Sequence, residues 1–380
     1  MKLCIVVPYF TPYVRGNEYG LAQALSSMGH EVTIITSRGK APREKMLASE
    51  NVPTRYKFVV RYLPTILDFA DNPVVLGVST EGYDAVLLQE DYPLVCHQAY
   101  SGAKRCGLPT MLSSERTYYP QNIAKRAVLK LLDKTSNRRL REGVDVLTVH
   151  CSAAKEFLQQ ELGVSRDIEV VHIGVDTGVF KPTEGSRYLE SGNPRILTTA
   201  RLHKYKGLDY LVQAMKTLSA KLPRAKLYIL GRGPEESRLR RQVSDLGLEE
   251  RIVFLKVSVP NEEMPCLYSE CDIYVQPSII EPFGTAVLEA MACAKPVIGT
   301  RVGGMLDTIV DGMTGFLVAP RDPRQLAHAI LELSDARVRH PMGTNARKRI
   351  VETFDWMVIA GRYDQLIKGL ASIPQGTERY

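Results

Sequence analysis

Short apolar runs alternate with helix-forming segments along the whole chain, and this alternation restricts the possible folds more than any other feature of the sequence. Buried strands separated by helices pair in parallel, because the helical crossover returns the chain to the same end of the sheet. The pattern therefore predicts an α/β protein. In the first half, strands are predicted at Leu3–Pro8, Val32–Thr36, Phe58–Tyr62, Ala85–Gln89, Thr110–Ser113 and Val144–Val149, and helices near Glu18–Met28, Tyr92–Cys106, Gln121–Arg141 and Ser152–Leu162.

The pattern occurs twice, since a second series of strands and helices follows a polar, glycine-containing stretch at residues 183–194. A chain of 380 residues also exceeds the usual size of one domain. We therefore expect two doubly wound domains with parallel sheets that face each other across a cleft, with ligands at the carboxyl ends of the strands. The strands of the second half are predicted at Arg195–Thr199, Leu227–Leu230, Ile252–Leu255, Ile273–Gln276, Val297–Gly299 and Gly315–Val318.

Composition favours a soluble globular enzyme, because 44% of the residues are hydrophobic and 24% are charged. No apolar stretch is long enough to span a bilayer, and the apolar run at residues 1–10 is too short for a signal peptide. The seven cysteines show no paired spacing, which argues against a disulfide framework and favours a reduced, cytoplasmic setting. The net charge of +7 is mild and spread over both halves, so nucleic acid is not expected as a partner.

Neither a metal nor another cofactor is predicted. The seven histidines include no pair at the spacing of helical metal ligands, and Asp-x-Asp, a common metal–nucleotide clamp, does not occur in the sequence. His150, His172 and His203 lie near the ends of predicted strands, and we interpret each as a satisfied or exposed side chain.

Two glutamates, Glu281 and Glu289, bracket the most informative stretch of the sequence. Glu281 lies on the loop that leaves a predicted strand, whereas Glu289 lies inside the following predicted helix. Phe283 and Gly284 open that helix, where unpaired backbone N–H groups and the helix dipole favour a bound anion. The arrangement suits a phosphate-linked ligand with a carboxylate available to hydroxyl groups on each side. Taken alone, the pair also fits a solvated loop residue and an exposed helix residue.

The surrounding sequence resembles the signature of the retaining glycosyltransferases of family 4, which have the GT-B architecture. The shared pattern is Ser278-x-x-Glu281-Pro-Phe-Gly, then Glu289-Ala-Met-Ala and Pro296-Val297. The resemblance extends over the whole chain and implies two Rossmann-like domains. Residues 1–175 would bind the acceptor, residues 176–355 the nucleotide-sugar donor, and residues 356–380 would form a helix that returns to the first domain. Further stretches that resemble the family are Gly29-His30-Glu31-Val32, Gly174-Val175-Asp176 and Phe354-Asp355-Trp356.

The resemblance implies that Arg201 and Lys206 bind the diphosphate, where preorganised cations would stabilise the charge on the leaving group. It assigns the hydroxyl groups of the transferred sugar to Glu281 and the ribose to Glu289. Two solvated loop cations are the alternative, since Lys204 makes the same loop basic. The other donor-binding residues that we predict are Gly16, Gly231, Phe283, Gly284 and Thr285.

The first half departs from the family at two places. Arg15 replaces the first glycine of a Gly-Gly-x-Glu pattern, so that only Gly16 matches; a charge from Arg15 to the same phosphate stays an open alternative. The histidine that many relatives carry after the Thr110–Ser113 strand is also absent, and Glu115 and Arg116 occupy the neighbourhood. We predict Glu115 as a catalytic base toward the acceptor, with a structural Glu115–Arg116 pair as the alternative. Candidate acceptor contacts are Glu18, Glu90, Arg116 and Tyr118, although Glu18 also suits the first turn of a helix.

One predicted helix has a composition that suits a membrane surface. Apolar residues of Ile123–Leu132 fall on one half of the helical wheel, opposite Lys125, Arg126 and Lys130. Many relatives transfer sugars to lipids and dock on anionic membranes through basic helices, so the chain is expected in the cytoplasm, with peripheral membrane contact as a further hypothesis. The alternative is an amphipathic helix that packs on the sheet and keeps its basic face in solvent.

The sequence therefore predicts a retaining, metal-independent glycosyltransferase that moves a sugar from a nucleotide-diphosphate sugar to a hydroxyl acceptor. A GT-B nucleotide-sugar epimerase has the same architecture but lacks this donor signature. A catalytically silent nucleotide-sugar binder is the other alternative, because of Arg15 and the missing histidine.

Overall fold

Each half of the chain folds around a parallel β-sheet in the computed structural model, which describes residues 1–11, 16–39, 56–69, 72–185 and 188–371. The predicted α/β fold with two parallel sheets is thus confirmed. The chain divides into two compact units. Unit 1 contains Met1–Gly174 and the segment that begins at Trp356, and unit 2 is Val175–Asp355.

Unit 1 is built on a seven-stranded parallel sheet whose strand order is β3-β2-β1-β6-β7-β8-β9. A separate antiparallel hairpin pairs β4 with β5. The strands are β1 (Lys2–Val6), β2 (Glu31–Ser37), β3 (Val59–Leu63), β4 (Thr65–Phe69), β5 (Asn72–Val75), β6 (Ala85–Gln89), β7 (Thr110–Ser114), β8 (Val146–Val149) and β9 (Glu169–Val170). The helices are α1 (Asn17–Ser27), α2 (Leu94–Arg105), α3 (Ile123–Asp133), α4 (Ser136–Gly143) and α5 (Ser152–Gln160).

Unit 2 contains a six-stranded parallel sheet in the order β12-β11-β10-β13-β14-β15. Its strands are β10 (Arg195–Thr199), β11 (Lys226–Leu230), β12 (Ile252–Leu255), β13 (Ile273–Gln276), β14 (Val297–Thr300) and β15 (Gly315–Val318). Its helices are α6 (Leu208–Leu218), α7 (Glu236–Asp245), α8 (Met264–Glu270), α9 (Thr285–Ala292), α10 (Met305–Thr308), α11 (Pro323–Leu333) and α12 (Ala336–Arg349). A π-helical segment at Ile350–Phe354 then leads to α13 (Trp356–Ala371), which belongs to unit 1.

The last helix packs into the core of unit 1. Ile359, Tyr363 and Ile367 of α13 are buried in the same cluster as Leu3 of β1 and Leu21 of α1. The single tryptophan, Trp356, lies against the backbone of α1, because a Cβ built on Gly20 would lie 2.1 Å from its indole ring. The C-terminal helix is therefore a layer of the first unit.

The helix predicted at Gln121–Arg141 is wrong as a single element, because the structure breaks it into α3 and α4. The break follows Asp133, whose carboxylate is buried in ion pairs, and Thr135 leaves the helical region with φ of −124° and ψ of −99°. The Thr135 hydroxyl donates to the carbonyl of Leu131, a local bond that competes with helix continuation.

The hairpin β4–β5 was not predicted, because Pro73 within it is a residue that usually argues against a strand. None of the helices in the described part of the chain is both long and apolar enough to cross a membrane.

Candidate active site

Two loops at the carboxyl ends of neighbouring strands are fastened together in unit 2. After β10 the chain forms a short 3₁₀ turn at Lys204–Lys206. The backbone carbonyl of Tyr205 accepts hydrogen bonds from the amides of Ile279 (2.8 Å) and Ile280 (3.2 Å), which lie in the loop that follows β13. Because β10 and β13 are adjacent in the sheet, side chains from both loops meet at one edge, the edge at which such sheets bind ligands.

The carboxylate of Glu281 is held through one of its two oxygens. Lys206 Nζ donates to Oε2 at 2.6 Å, Ser278 Oγ at 2.9 Å and Gln276 Nε2 at 3.2 Å. The residue is 7% exposed, and no residue described in the structure hydrogen-bonds its Oε1. The structure thus brings together two predicted donor-site residues that are 75 positions apart in the sequence, Lys206 and Glu281, and leaves one carboxylate oxygen available to a ligand.

Arg201 and Lys206 lie beside one aromatic ring. The Arg201 guanidinium carbon is 6.0 Å from the centroid of the Tyr205 ring, and Lys206 Nζ is 5.6 Å from the same centroid. The Arg201 side chain is exposed and, within the described ranges, forms no ion pair. His203 lies next to this ring, and burial together with the charge of Arg201 lowers its pKa. An exposed cation next to a second one is a suitable site for an anion.

Glu289, the second signature glutamate, is partly buried on α9 and contacts Tyr268 of α8. The Tyr268 hydroxyl lies 2.7 Å from Glu289 Oε2. Burial of the carboxyl group raises the pKa of Glu289 to about 7, and the bond from Tyr268 opposes that rise. Tyr268 was not singled out from the sequence, because an aromatic residue in an apolar helix is usually a core residue.

The predicted donor-binding backbone lies at the start of α9. Gly284 caps the helix with φ of 95°, Thr285 is exposed, and the Phe283 side chain is buried against Phe354. Gly231 is required by a close approach of two loops, since a Cβ there would lie 1.8 Å from the carbonyl oxygen of Ala200.

A second close approach was missed by the sequence analysis. A Cβ on Gly303 would lie 1.6 Å from the carbonyl oxygen of Glu281. The Gly303-Gly304 segment that precedes α10 therefore packs directly on the backbone of the Glu281 loop, and the shape of that loop depends on it. The pair of glycines in the sequence was the available signal.

In unit 1, Glu90 and Glu115 come together at the carboxyl ends of β6 and β7. The Glu90 carboxylate accepts bonds from the backbone amide of Glu115 (2.5 Å) and from Ser114 Oγ (3.1 Å). Burial and the nearby carboxylates of Asp91 and Glu115 raise the pKa of Glu90 to about 8. Glu90 also has a positive φ of 76°, which is uncommon for a residue with a side chain. Glu115 itself is exposed, so its carboxylate faces solvent.

A histidine reaches this carboxylate pair from the next strand. His150 follows β8, is 1% exposed, and lies with Nε2 3.9 Å from Glu115 Oε1. Its Nδ1–H donates to the Val171 carbonyl at 3.0 Å, so Nε2 accepts from the Asn17 amide at 3.1 Å. Burial lowers the pKa of the imidazole, which favours the neutral ring. The prediction of a satisfied side chain at His150 is confirmed, but its position beside Glu115 was not predicted.

Arg116, a predicted acceptor contact, is buried and paired in the structure rather than open to a ligand. Its guanidinium is buried and donates to both carboxylate oxygens of Asp133, at 2.7 and 2.8 Å, and to Asp91 at 3.2 Å. Arg141, which is 1% exposed, forms ion pairs with the same two aspartates. The structure therefore supports a structural role for Arg116, with Asp91 and Asp133 as its partners rather than Glu115.

The remaining candidates of unit 1 lie around the start of α1 and after β7. Gly16 precedes α1, and a Cβ on it would lie 2.6 Å from a carboxylate oxygen of Glu18. Glu18 occupies the first turn of α1, as the helix-dipole interpretation requires. Tyr118 is 40% exposed, and Arg15 lies outside the described residues.

The amphipathic helix α3 exposes its apolar residues. Ile123 is 83% exposed, Val128 55% and Leu131 65%. Asp133 is instead buried, and Leu132 is partly buried, so the helix is anchored through another face. The alternative in which the apolar half of the wheel packs on the sheet is therefore wrong for these three residues. Lys125, Arg126 and Lys130 are exposed on the same helix.

Comparison with known proteins agrees with this arrangement. Residues 183–349 match the family Glycosyl transferases group 1, and residues 19–179 match Glycosyltransferase Family 4. The chain is 30% identical to D-inositol 3-phosphate glycosyltransferase of Paenarthrobacter aurescens over 94% of this chain and 93% of that protein. It is 31% identical to a GDP-mannose-dependent alpha-(1-6)-phosphatidylinositol monomannoside mannosyltransferase of Mycolicibacterium smegmatis, over 62% of this chain and 65% of the relative, which is less than two thirds of its length.

Solved structures show the same fold at lower identity. Sucrose-phosphate synthase from Thermosynechococcus elongatus superposes with a TM-score of 0.75 at 22% identity, covering 97% of this chain and 98% of that one. Anabaena HepE in complex with UDP-glucose gives a TM-score of 0.75 at 19% identity, covering 97% and 100%. Together with the full-length relative and the two family matches, these similarities show that the chain belongs to glycosyltransferase family 4, the glycosyl transferases group 1.

Proposed function

We propose that this chain transfers a sugar, with retention of anomeric configuration, from a nucleoside-diphosphate sugar to a hydroxyl acceptor. The observation that carries the proposal is the joint geometry of Lys206, Glu281 and Arg201. Lys206 fixes one oxygen of the Glu281 carboxylate at 2.6 Å, the other oxygen is open, and the exposed Arg201 lies beside the same aromatic ring as Lys206. The Mycolicibacterium relative is GDP-mannose-dependent, and the structural neighbour HepE was solved with UDP-glucose.

The reaction breaks the bond between the anomeric carbon and the diphosphate oxygen, and the electron pair leaves with the diphosphate. Arg201 and Lys206 would stabilise that charge, so the proposal needs no metal ion for this purpose. Glu281 Oε1 would accept hydrogen bonds from the sugar, and Glu289 from the ribose. The acceptor oxygen then bonds to the anomeric carbon, and its proton goes to the departing phosphate, so Glu115, predicted above as the base, would orient the acceptor hydroxyl instead of taking its proton.

For unit 1 we propose that Glu115 and Glu90 contact the hydroxyl groups of the acceptor. Glu115 is exposed at the end of β7, and Glu90 fixes its backbone through a 2.5 Å bond from the Glu115 amide. The exposed Glu115 carboxylate can accept from hydroxyl groups and a protonated Glu90 can donate to one, so an acceptor rich in hydroxyl groups suits this pair. His150 and Asn17 hold the adjacent side of the site through their mutual 3.1 Å bond.

We further propose that α3 docks unit 1 on an anionic membrane surface. Its exposed apolar residues, Ile123, Val128 and Leu131, occupy one helix together with three exposed cations. Apolar insertion combined with attraction to anionic lipids is the usual basis of interfacial helix binding. The Mycolicibacterium relative is named for a phosphatidylinositol acceptor, which supports a lipid-linked acceptor here.

The test is a binding and turnover screen with the purified chain. Thermal shifts are measured with UDP-, GDP- and ADP-sugars, because a ligand that binds the folded state raises its melting temperature. The sugar that stabilises the protein is then offered with candidate hydroxyl acceptors, and products are identified by mass spectrometry and NMR of the anomeric proton. We expect binding of one nucleotide class and an axial or equatorial linkage that matches the donor.

Each alternative predicts a different outcome of this screen. A silent binder would be stabilised by a nucleotide sugar but would neither transfer nor hydrolyse it. An epimerase would convert the free nucleotide sugar to an epimer without any acceptor. Inverted product stereochemistry would contradict the retaining mechanism and leave the transferase activity intact.

A further inference from the structure

A partly buried series of hydrogen bonds joins the two signature glutamates of unit 2. It starts at Glu289 Oε2, which lies 2.7 Å from the Tyr268 hydroxyl, and that hydroxyl is 3.2 Å from Thr199 Oγ1. Thr199 Oγ1 is 3.0 Å from the Tyr274 hydroxyl, which is 2.8 Å from Gln276 Oε1. From Gln276 the chain continues to Glu281, so side chains of β10, α8 and β13 connect both carboxylates.

The direction of the far end of this chain is fixed. Glu281 is a carboxylate paired with Lys206 and can only accept hydrogen bonds, so Gln276 must present its amide nitrogen to it, at 3.2 Å. The same nitrogen donates to Ser278 Oγ at 2.9 Å. Gln276 Oε1 therefore faces Tyr274, and the Tyr274 hydroxyl must donate to it.

Counting protons along the chain reveals a deficit. Four contacts connect Glu289, Tyr268, Thr199, Tyr274 and Gln276, whereas the three hydroxyl groups between the ends supply three protons. If Glu289 is ionised, Tyr268 donates to it, and one of the two contacts of Thr199 then has no proton. If Glu289 is protonated, every hydroxyl donates to the next group and all four contacts are hydrogen bonds.

We propose that Glu289 carries a proton while the donor site is empty and releases it to solvent when the ribose hydroxyl groups bind. The inference rests on the proposed function, which places the ribose at this carboxylate. Two ribose hydroxyl groups can each donate to an ionised carboxylate, so the bound ligand replaces the stabilisation that the proton supplies in the empty site. Tyr268, Thr199 and Tyr274 are then positioning residues that set the protonation state of Glu289.

The groups around Glu289 support a protonated carboxyl. The titratable side chains that face it are Tyr268 from α8, Tyr274 from β13 and Cys293 from its own helix, and none of them is a cation. Arg347 of α12 reaches this region but donates to the carbonyls of Ala292 and Phe180. Burial without a compensating cation raises the pKa of Glu289 to about 7.

A ligand that needs the ionised form binds more weakly when that form is scarce. At pH 6 about one tenth of a group with this pKa is ionised, so the apparent Kd of a nucleotide sugar should be about tenfold higher than at pH 8. The affinity should rise with pH through about 7 and then level off. Nucleotide sugars are the suitable probes, because their diphosphate diesters do not themselves titrate in this range.

The experiment is isothermal titration calorimetry of UDP-glucose and GDP-mannose between pH 5.5 and 8.5, in two buffers of different ionisation enthalpy. We expect net proton release below pH 7 and loss of the pH dependence in Glu289→Gln.

The sharpest variant is Tyr274→Phe, which does not touch Glu289. Two contacts then remain, from Glu289 to Tyr268 and from Tyr268 to Thr199, and the two hydroxyl protons are enough to fill both. An ionised Glu289 therefore no longer leaves a contact without a proton, and the pH midpoint of binding should move to lower values. Tyr228→Phe is the control. It removes a tyrosine hydroxyl that donates to the Ser191 carbonyl and takes no part in this series of hydrogen bonds, so the pH midpoint of binding should equal that of the wild type.

A pH-independent Kd without proton release would overturn the inference while leaving the proposed function intact. If neither nucleotide sugar binds, the donor assignment fails. Infrared spectroscopy then still determines whether Glu289 is protonated. The carbonyl band of a protonated carboxyl should disappear as the pH rises through about 7, and it should be missing in Glu289→Gln. The measurement is made in a Glu90→Gln background, because Glu90 is a second carboxyl with a raised pKa. Absence of the band at pH 6 in that background overturns the inference.

Discussion

Lys206 Nζ donates to Glu281 Oε2 at 2.6 Å, although the two residues lie on different loops and are separated by an entire series of strands and helices. The contact exists because the loop after β10 is bonded to the loop after β13 through the Tyr205 carbonyl. One interaction therefore fixes a cation beside the predicted diphosphate and orients a carboxylate toward the predicted sugar. The proposed donor site is therefore preorganised before any ligand binds.

Lys206→Ala should weaken nucleotide-sugar binding and turnover together. It removes a cation from the charge of the leaving group and leaves Glu281, which is 8% exposed in its side chain, without its counterion. We expect kcat/KM to fall about 100-fold or more and stability to fall by roughly 3 kcal/mol. Calorimetric titration and urea unfolding measure the two effects. The exposed Lys204→Ala in the same turn is the control, and unchanged binding in Lys206→Ala would contradict the assignment.

Glu281→Ala should abolish transfer and spare nucleotide affinity. Its open oxygen is expected to contact the sugar rather than the nucleotide, so UDP or GDP should bind within about threefold of the wild type while kcat falls at least 100-fold. Product formation and nucleotide titration are measured side by side. Glu332→Ala, an exposed glutamate on α11, is the matched control. Wild-type turnover in Glu281→Ala refutes its catalytic role.

The raised pKa of Glu90 should make the protein less stable as the pH rises. The pKa of its carboxyl is about 8 in the folded protein and near 4.5 in an unfolded chain, so the folded state binds more protons in this window. The contribution of Glu90 to stability is therefore fully present below pH 4.5 and is lost as the pH rises toward 8. Glu90→Gln does not titrate; its Oε1 can accept from the Glu115 amide and its Nε2 can donate to Ser114 Oγ, so between pH 5 and pH 8 it should gain about 3 kcal/mol relative to the wild type. Urea unfolding at the two pH values checks this, and parallel curves would show that Glu90 is ionised throughout.

Arg116→Ala should destabilise unit 1 strongly, because it leaves the buried carboxylates of Asp91 and Asp133 with one cation between them. The expected loss is about 3–5 kcal/mol, against less than 1 kcal/mol for Arg138→Ala, which breaks only an exposed pair with Glu142. Thermal unfolding distinguishes the two variants. A loss of acceptor affinity in a fully stable Arg116→Ala protein would restore the acceptor role that the structure does not support.

If α3 docks on a membrane, its charged and its apolar side chains should contribute separately to vesicle binding. Neutralising Lys125, Arg126 and Lys130 as glutamines should reduce co-sedimentation with anionic vesicles by about tenfold or more at physiological salt, and less in neutral vesicles. Replacing Ile123 and Leu131 with serine should weaken binding to both kinds of vesicle, because these side chains are largely exposed and available to insert. Lys155→Gln on α5 serves as the charge control. Co-sedimentation identical to the wild type in both sets would remove the hypothesis.

The sequence alone determined the repeated strand–helix order, and with it two parallel sheets, because strand and helix formation depend on local apolar periodicity. It also identified the stretch from Glu281 to Glu289 and the family to which the chain belongs. The break between α3 and α4 escaped this reasoning, because Asp133 ends α3 through ion pairs with residues from other elements.

Only the tertiary structure decided which side chains meet. It buried Arg116 between two aspartates, set His150 beside Glu115, and exposed the apolar residues of α3. It also joined Glu289 to Glu281 through the hydroxyl chain of Tyr268, Thr199 and Tyr274. Such contacts join residues far apart along the chain, and their energies depend on burial and on the surrounding charges. Burial and the placement of those charges are set only when the sheets have formed.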